Sequence, residues 1–211
     1  ATYVQHRAGE WREFDYGRSG NPTRKSLERT MASLENGNHA LAYSTGMAAT
    51  HGVTMLLESG DHMVAGADIY GGTYRLLHKV LSRCNVGITL ADSRNLTELQ
   101  NAITPQTKLL WLESPGNPLM SITDLRACVE IAKKHKVLTA VDNTFATPVL
   151  TRPLEMGIDI VMHSATKYLG GHSDVLGGVL VVQDAELFER LYFTQNATGA
   201  VLGPFDAFLV A

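Results

Sequence analysis

The stretch Leu125-Arg126-Ala127-Cys128-Val129-Glu130-Ile131-Ala132-Lys133-Lys134-His135, continuing as Lys136-Val137-Leu138-Thr139-Ala140-Val141-Asp142, decides the fold class. In its first half the apolar residues Leu125, Cys128, Val129, Ile131 and Ala132 recur at helical spacing, behind Thr123 and Asp124 as possible caps. Its second half, Val137–Val141, is a short apolar run of the kind a buried strand makes. This unit predicts a helix over Leu125–His135 leading into a strand over Val137–Val141, with Asp142 left at the strand's carboxyl end.

Outward from that unit the same alternation recurs. Further strands are expected over Ala40–Tyr43, His62–Ala65, Val86–Ala91, Lys108–Leu112, Asp159–His163 and Val179–Val182. Further helices are expected over Met47–Leu57, Thr73–Ser82, Leu96–Ile103 and Ala185–Thr194. Such alternation predicts an α/β fold, a mostly parallel sheet with flanking helices. Residues 1–39 lack it and carry Gly17, Gly20 and Pro22, so they read as an extended N-terminal arm entering a helix at about Pro22. The domain expectation is therefore an arm over 1–39 and an α/β domain over 40–211. The chain opens on Ala1 and closes on the apolar Phe205–Ala211 with no Gly, Asn or basic stop signal, which implies a longer polypeptide.

Composition excludes several classes. Of 211 residues, 45% are hydrophobic and 18% charged, which excludes intrinsic disorder. A net charge of −3, from 18 basic and 21 acidic residues, speaks against non-specific nucleic-acid or anionic-membrane binding. No apolar run approaches the roughly 20 residues that span a bilayer. Cys84 and Cys128 are too few and too far apart for a disulfide framework. A reduced, cytoplasmic enzyme is the expectation.

Ligands of open α/β sheets bind beyond the carboxyl ends of the strands. There the sequence places Ser44-Thr45-Gly46-Met47, Glu113-Ser114-Pro115-Gly116-Asn117-Pro118, Asp142-Asn143-Thr144 and Ser164-Ala165-Thr166-Lys167. One acid, one lysine and several hydroxyl or glycine positions on one rim suit an anionic, phosphorylated ligand. Gly46 lets the backbone approach a phosphate at a helix start, although Ser44 or Thr45 as a plain cap accounts for the same residues. Neither G-x-x-x-x-G-K-[ST] nor G-x-G-x-x-G is present, which argues against a P-loop or a nicotinamide dinucleotide site. Asp142 reads either as an anion facing a cationic ring nitrogen or as half of a structural ion pair. Lys167, after an apolar strand and among hydroxyls, reads as a nucleophilic amine with a pKa lowered by burial, or as a surface lysine. His163, His172 and Asp174 match no metal-ligand spacing, and no metal is expected. Tyr70 can stack on a flat ring and exchange protons, or simply pack in the core. Tyr16 and Arg18 can offer a hydroxyl and a fork of donors to a phosphate, or lie on a solvated arm.

Taken together, these segments resemble the Cys/Met-metabolism family of pyridoxal-phosphate enzymes, which includes cystathionine γ-lyases and γ-synthases. The matching stretches are Tyr16-Gly17-Arg18-Ser19-Gly20-Asn21-Pro22-Thr23-Arg24, Ser44-Thr45-Gly46-Met47-Ala48-Ala49, Tyr70-Gly71-Gly72-Thr73, Glu113–Pro118, Val141–Phe145, Ser164–Tyr168 and Gly171–Asp174, in the family's order. The resemblance implies pyridoxal 5'-phosphate as cofactor and an aspartate-aminotransferase-like (fold type I) large domain, with a C-terminal domain absent from these residues. It implies that Lys167 bonds the cofactor, Asp142 partners its pyridine nitrogen and Tyr70 stacks on its ring. Gly46, Met47, Ser164 and Thr166 would cradle the phosphate, with Asn117 near the phenolic oxygen and Thr144 also at the cofactor. Tyr16 and Arg18 would reach the phosphate of a neighbouring subunit, making a homodimer with shared sites, assembled into a tetramer.

The implied activity is elimination or replacement at Cγ of a small amino acid, cystathionine or an activated homoserine, with γ-lyase slightly ahead. γ-Synthase or O-acylhomoserine sulfhydrylase comes next, then methionine γ-lyase. Gly72 stands where methionine γ-lyases carry cysteine, and bacterial cystathionine β-lyases depart from the Ser19–Thr23 pattern. A truncated module that binds the cofactor without turnover is the alternative of a different class.

Overall fold

The computed structural model describes residues 14–211. Seven strands form one sheet: β1 (His39–Tyr43), β2 (His62–Gly66), β3 (Gly87–Ala91), β4 (Thr107–Glu113), β5 (Leu138–Asp142), β6 (Ile160–Ser164) and β7 (Gly178–Val182). Their spatial order is β1-β7-β6-β5-β4-β2-β3. All neighbours pair in parallel except β7, which is antiparallel to both β1 and β6. A parallel return needs a crossover, usually a helix. Residues 165–177 between β6 and β7 contain only turns, so the chain reverses there instead of crossing over.

Among the described residues eight α-helices flank the sheet: α1 (Pro22–Leu34), α2 (Gly46–Thr54), α3 (Gly71–Arg75), α4 (Leu96–Ala102), α5 (Leu125–His135), α6 (Thr147–Leu150), α7 (Ala185–Thr198) and α8 (Pro204–Val210). Local capping explains several boundaries. Asn21 accepts from the amides of Thr23 and Arg24 at the start of α1, with Pro22 as first helical residue. Asp124 and Asp184 accept from Ala127 and Leu187 at the starts of α5 and α7. Helix α5 has the expected bounds, and left-handed Lys136 (φ 56°) ends it.

Strand residues alternate between two buried clusters, one on each face of the sheet. Leu27 and Met31 of α1, Leu99 of α4, the apolar side of α5 and Ala207 of α8 pack with Leu110, Leu112, Val141 and Val161. On the other face Ala49 and Val53 of α2 and Leu187 and Leu191 of α7 pack with Leu109, Trp111, Ala140, Ile160 and Met162. Helices on both faces therefore make a three-layer α/β/α domain.

The expected helix bounds need revision, α2 ending at Thr54 rather than Leu57. The helix expected over Thr73–Ser82 begins at Gly71 and changes form, with a π turn over Leu76–Val80 and a 3-10 turn over Leu81–Cys84. Leu77 and Leu81 stay buried through the change while Val80 is turned out to solvent. The helix expected to stop at Thr194 runs on to Thr198, where Gly199 (φ 76°) permits the left-handed exit. Residues 205–211 belong mostly to α8, which buries Ala207 and leaves Phe205 and Phe208 exposed. Of the segment 1–39, the first thirteen residues lie outside the described ones, and α1 packs into the core through Leu27, Met31 and Ala32. Among the described residues no helix is long and apolar enough to cross a membrane.

Candidate active site

Strand alternation aims the site. Trp111, Ala140 and Met162 face the α2–α7 layer, so Glu113, Asp142 and Ser164, two residues further along their strands, point to that side at the carboxyl edge. Helix α2 starts beside them. A Cβ on Gly46 would lie 2.8 Å from Ser164 Cβ and 2.9 Å from its Oγ, so only glycine allows this approach of helix to strand. Thr45 Oγ1 caps the Ala48 amide, which leaves the Gly46 and Met47 N–H groups at the helix start without intrahelical partners.

The result is a cavity of about 430 Å³ that opens beside Lys167. Gly46, Met47, Tyr70, Asn117, Asp142 and Thr144 line it, together with Ser164, Thr166 and Lys167. Nine of the eleven residues expected at the site are thus brought together from five separate segments. Tyr16 and Arg18 are not among them. The Arg18 guanidinium lies 5.3 Å from the Tyr16 ring centroid, and its Nη1 donates to the side-chain and main-chain oxygens of Asn196 on α7.

Asp142 is buried and tightly held. Thr144 donates to Asp142 Oδ1 through its amide (3.0 Å) and its hydroxyl (2.5 Å). The same hydroxyl accepts from the Ser164 amide at 2.8 Å, so one threonine ties the ends of β5 and β6. Burial pushes the Asp142 carboxyl above the usual carboxylate range, against the lowering effect of both Thr144 bonds and the His163 ring. Because both bonds fall on Oδ1, Oδ2 has no protein donor among the described residues.

Behind the rim, on the opposite face, lies a second polar cluster. His163 Nε2 is 2.5 Å from Glu35 Oε1, and the Asn143 amide group donates to the same oxygen at 3.0 Å. His163, Glu35 and Asn143 are completely buried. Asn143 and His163 adjoin Asp142 and Ser164 in sequence, and Glu35, distant in sequence, holds both strand ends from behind. His163 Nε2 is thus engaged by Glu35, while His172 Nδ1 bonds the Gly170 carbonyl.

Two expectations change. Lys167 is exposed, because the turn that carries it stands outside the sheet where the cavity opens; burial is not what distinguishes it. The Thr166 hydroxyl is engaged with the Gly177 main chain on both its donor and acceptor sides. Sequence reading also passed over Glu113 as a site residue. It is buried, lines the cavity and pairs in register with Asp142. The signal was the odd-numbered alternation Leu109, Trp111, Glu113, which matches the even-numbered Ala140, Asp142 on the next strand.

A profile of the Cys/Met metabolism PLP-dependent enzymes matches residues 1–211. The chain belongs to this family. It is 51% identical over 210 residues to cystathionine γ-lyase of Bacillus subtilis (strain 168), covering all of this chain and 55% of that protein. It is 48% identical to cystathionine β-lyase of Lactococcus lactis subsp. cremoris (strain MG1363), with the same coverage. Cystathionine γ-synthase of Mycobacterium leprae (strain TN) is 48% identical over 211 residues, 99% of this chain and 54% of that one. Among solved structures, cystathionine γ-lyase of Lactobacillus plantarum complexed with L-serine superposes with a TM-score of 0.97 at 44% identity, over 99% of this chain and 55% of its own. The chain spans about half the length of the curated relatives it matches. This likeness identifies the domain as the large domain of a fold type I pyridoxal-phosphate enzyme. Cystathionine β-lyases, set aside on the Ser19–Thr23 pattern, stand as close as the γ-synthase, so overall identity does not separate the activities.

The residues present fit this family's cofactor. The free amides at Gly46 and Met47, beside the Ser164 hydroxyl, suit a phosphate. A buried carboxylate with an unpartnered oxygen suits a protonated ring nitrogen.

Proposed function

We propose that this chain binds pyridoxal 5'-phosphate and takes part in making or breaking a carbon–sulfur bond at Cγ of a small amino acid, with cystathionine γ-cleavage the favoured reaction. One observation carries the reading: Asp142, Lys167, Tyr70 and the start of α2 converge on a single cavity from segments far apart in sequence. The bound cofactor supplies an electron sink for carbanions at the substrate's Cα and Cβ. The protein orients it and sets its charge. Asp142, held by Thr144, keeps the ring nitrogen protonated through Oδ2. Gly46, Met47 and Ser164 hold the phosphate, with Thr166 beside them, and Asn117 lies near the phenolic oxygen. Tyr70 stacks on the ring, and its Oη exchanges a proton with the amine or leaving group. Lys167 Nζ holds the cofactor covalently and, once released, carries protons between Cα and the neighbouring carbons.

Tyr16 and Arg18 serve a neighbouring copy in this reading. They lie outside the cavity of their own chain, and a twofold axis would present each arm to the other's site. A homodimer, further assembled into a tetramer in the cytoplasm, is the proposed working form.

Borohydride reduction and peptide mapping test the cofactor assignment: the pyridoxyl mass belongs on Lys167, and label on Lys108 or Lys133 would overturn it. Product analysis with cystathionine tests the reaction. Cleavage at Cγ adds water and yields cysteine, 2-oxobutanoate and ammonia. Homocysteine and pyruvate would show Cβ cleavage instead and replace the γ-reading.

A further inference from the structure

Glu113 and Asp142 are register partners on adjacent parallel strands, and both point into the same cavity. Strands of a sheet run about 4.8 Å apart, so two buried carboxyls stand side by side. Both cannot ionise there without a counter-charge between them. The surroundings decide which one keeps the proton. Burial pushes both carboxyls up, but Asp142 Oδ1 receives two donors from Thr144, and the His163 ring on β6 further favours its anion. Among the described residues Glu113 receives a single donor, the Tyr70 amide, at 2.8 Å to Oε2. The charges that reach it from neighbouring elements are Asp142 on β5 and Asp68 in the β2–α3 loop, both of the wrong sign. Lys167 lines the same cavity but is exposed, and Arg94 is taken up by Asp92.

We infer that Glu113 is a positioning residue, an uncharged carboxylic acid that fixes the Tyr70 turn through Oε2 and leaves Asp142 as the lone anion at the ring-nitrogen end. This role rests on the reading of the cavity as a pyridoxal-phosphate site. The direction of the Glu113 titration agrees: burial first, then the Asp142 charge, pushes its carboxyl up to about 8. The inference separates two features of the side chain. Its acceptor oxygen matters for Tyr70, and its negative charge does not. Gln keeps the acceptor and can never be charged; Ala removes both.

The test uses the full-length protein with glutamate side-chain carboxyls labelled with 13C and followed by NMR without cofactor. One carboxyl should titrate close to 8 and be absent from both Glu113→Gln and Glu113→Asp, which secures the assignment even if one variant folds poorly. Equilibrium dialysis against pyridoxal 5'-phosphate gives the second readout. Glu113→Gln should bind within about threefold of wild type, and Glu113→Ala about tenfold more weakly, the worth of one lost hydrogen bond. The inference is overturned if the Glu113 carboxyl titrates in the ordinary carboxylate range, or if Gln binds as poorly as Ala. A wild-type protein that does not bind the cofactor would instead remove the reading of the cavity. The carboxyl titration, made without cofactor, still decides the charge state of Glu113 in that case.

Discussion

Replacing Thr144 by valine removes one hydroxyl and keeps the side chain's branched shape. In the structure that hydroxyl donates to Asp142 Oδ1 at 2.5 Å and accepts from the Ser164 amide at 2.8 Å. Thr144 and Asp142 are both buried, so neither bond is simply exchanged for water. A hydrogen bond to a charged group contributes about 1.5–3 kcal/mol, and leaving a buried donor unpaired costs about 1–3 kcal/mol. The low end of each range applies, because the cavity beside Ser164 can admit water and the Thr144 amide still serves Asp142. The expected loss is about 2.5 kcal/mol. Thr144→Ser is the control: it keeps both bonds and gives up one methyl group, about 0.8 kcal/mol. Urea unfolding measures the difference. With slopes of about 1–3 kcal/mol per molar, the valine variant's midpoint should fall by about 1 M or more. The order expected is wild type, then serine, then valine. A valine variant at least as stable as the serine one would refute the tie between β5 and β6.

Asp142→Asn should retain the cofactor but lose about 10²–10³ in kcat, the scale on which one preorganised electrostatic contact acts; near-wild-type turnover would make Asp142 a structural residue. Gly72→Ala places a Cβ 2.3 Å from Tyr70 Cε1 and 3.0 Å from Met47 Sδ, so the exposed tyrosine ring must move. Its midpoint in urea should barely change while its cofactor affinity drops, and an unchanged dissociation constant would show that the ring does not stack. Mixing an inactive Arg18→Ala subunit with an inactive Lys167→Ala subunit should restore activity, because a hybrid dimer then holds one intact site. No recovery despite proven exchange would confine Arg18 to its own chain, where it already bonds Asn196.

Much of this protein is written in short range. The bounds of α5 follow from the spacing of Leu125, Cys128, Val129, Ile131 and Ala132 and from the Asp124 cap, all within a dozen residues. The seven strands appear as apolar runs because a strand covered on both faces excludes polar side chains. The rim residues follow too, since ligand-binding groups of an α/β sheet gather just past its strands. Helix form was less legible. The π and 3-10 turns over residues 76–84 depend on how Leu77 and Leu81 meet the sheet, not on their own spacing.

Other features arise only when the sheet assembles. Strand order sets β1 and β6 on either side of β7, which brings Gly46 against Ser164 across more than a hundred residues of sequence. Register puts Glu113 beside Asp142, and packing of α1 delivers Glu35 to His163, 128 positions away. The exposure of Lys167 and the bond of Arg18 to Asn196 belong to the same class. A local sequence records capping, turn chemistry and the face each residue prefers, because those energies act within a few residues. Which carboxyl meets which, and so which one keeps its proton, is set by non-local pairing and burial, and these exist only in the folded chain.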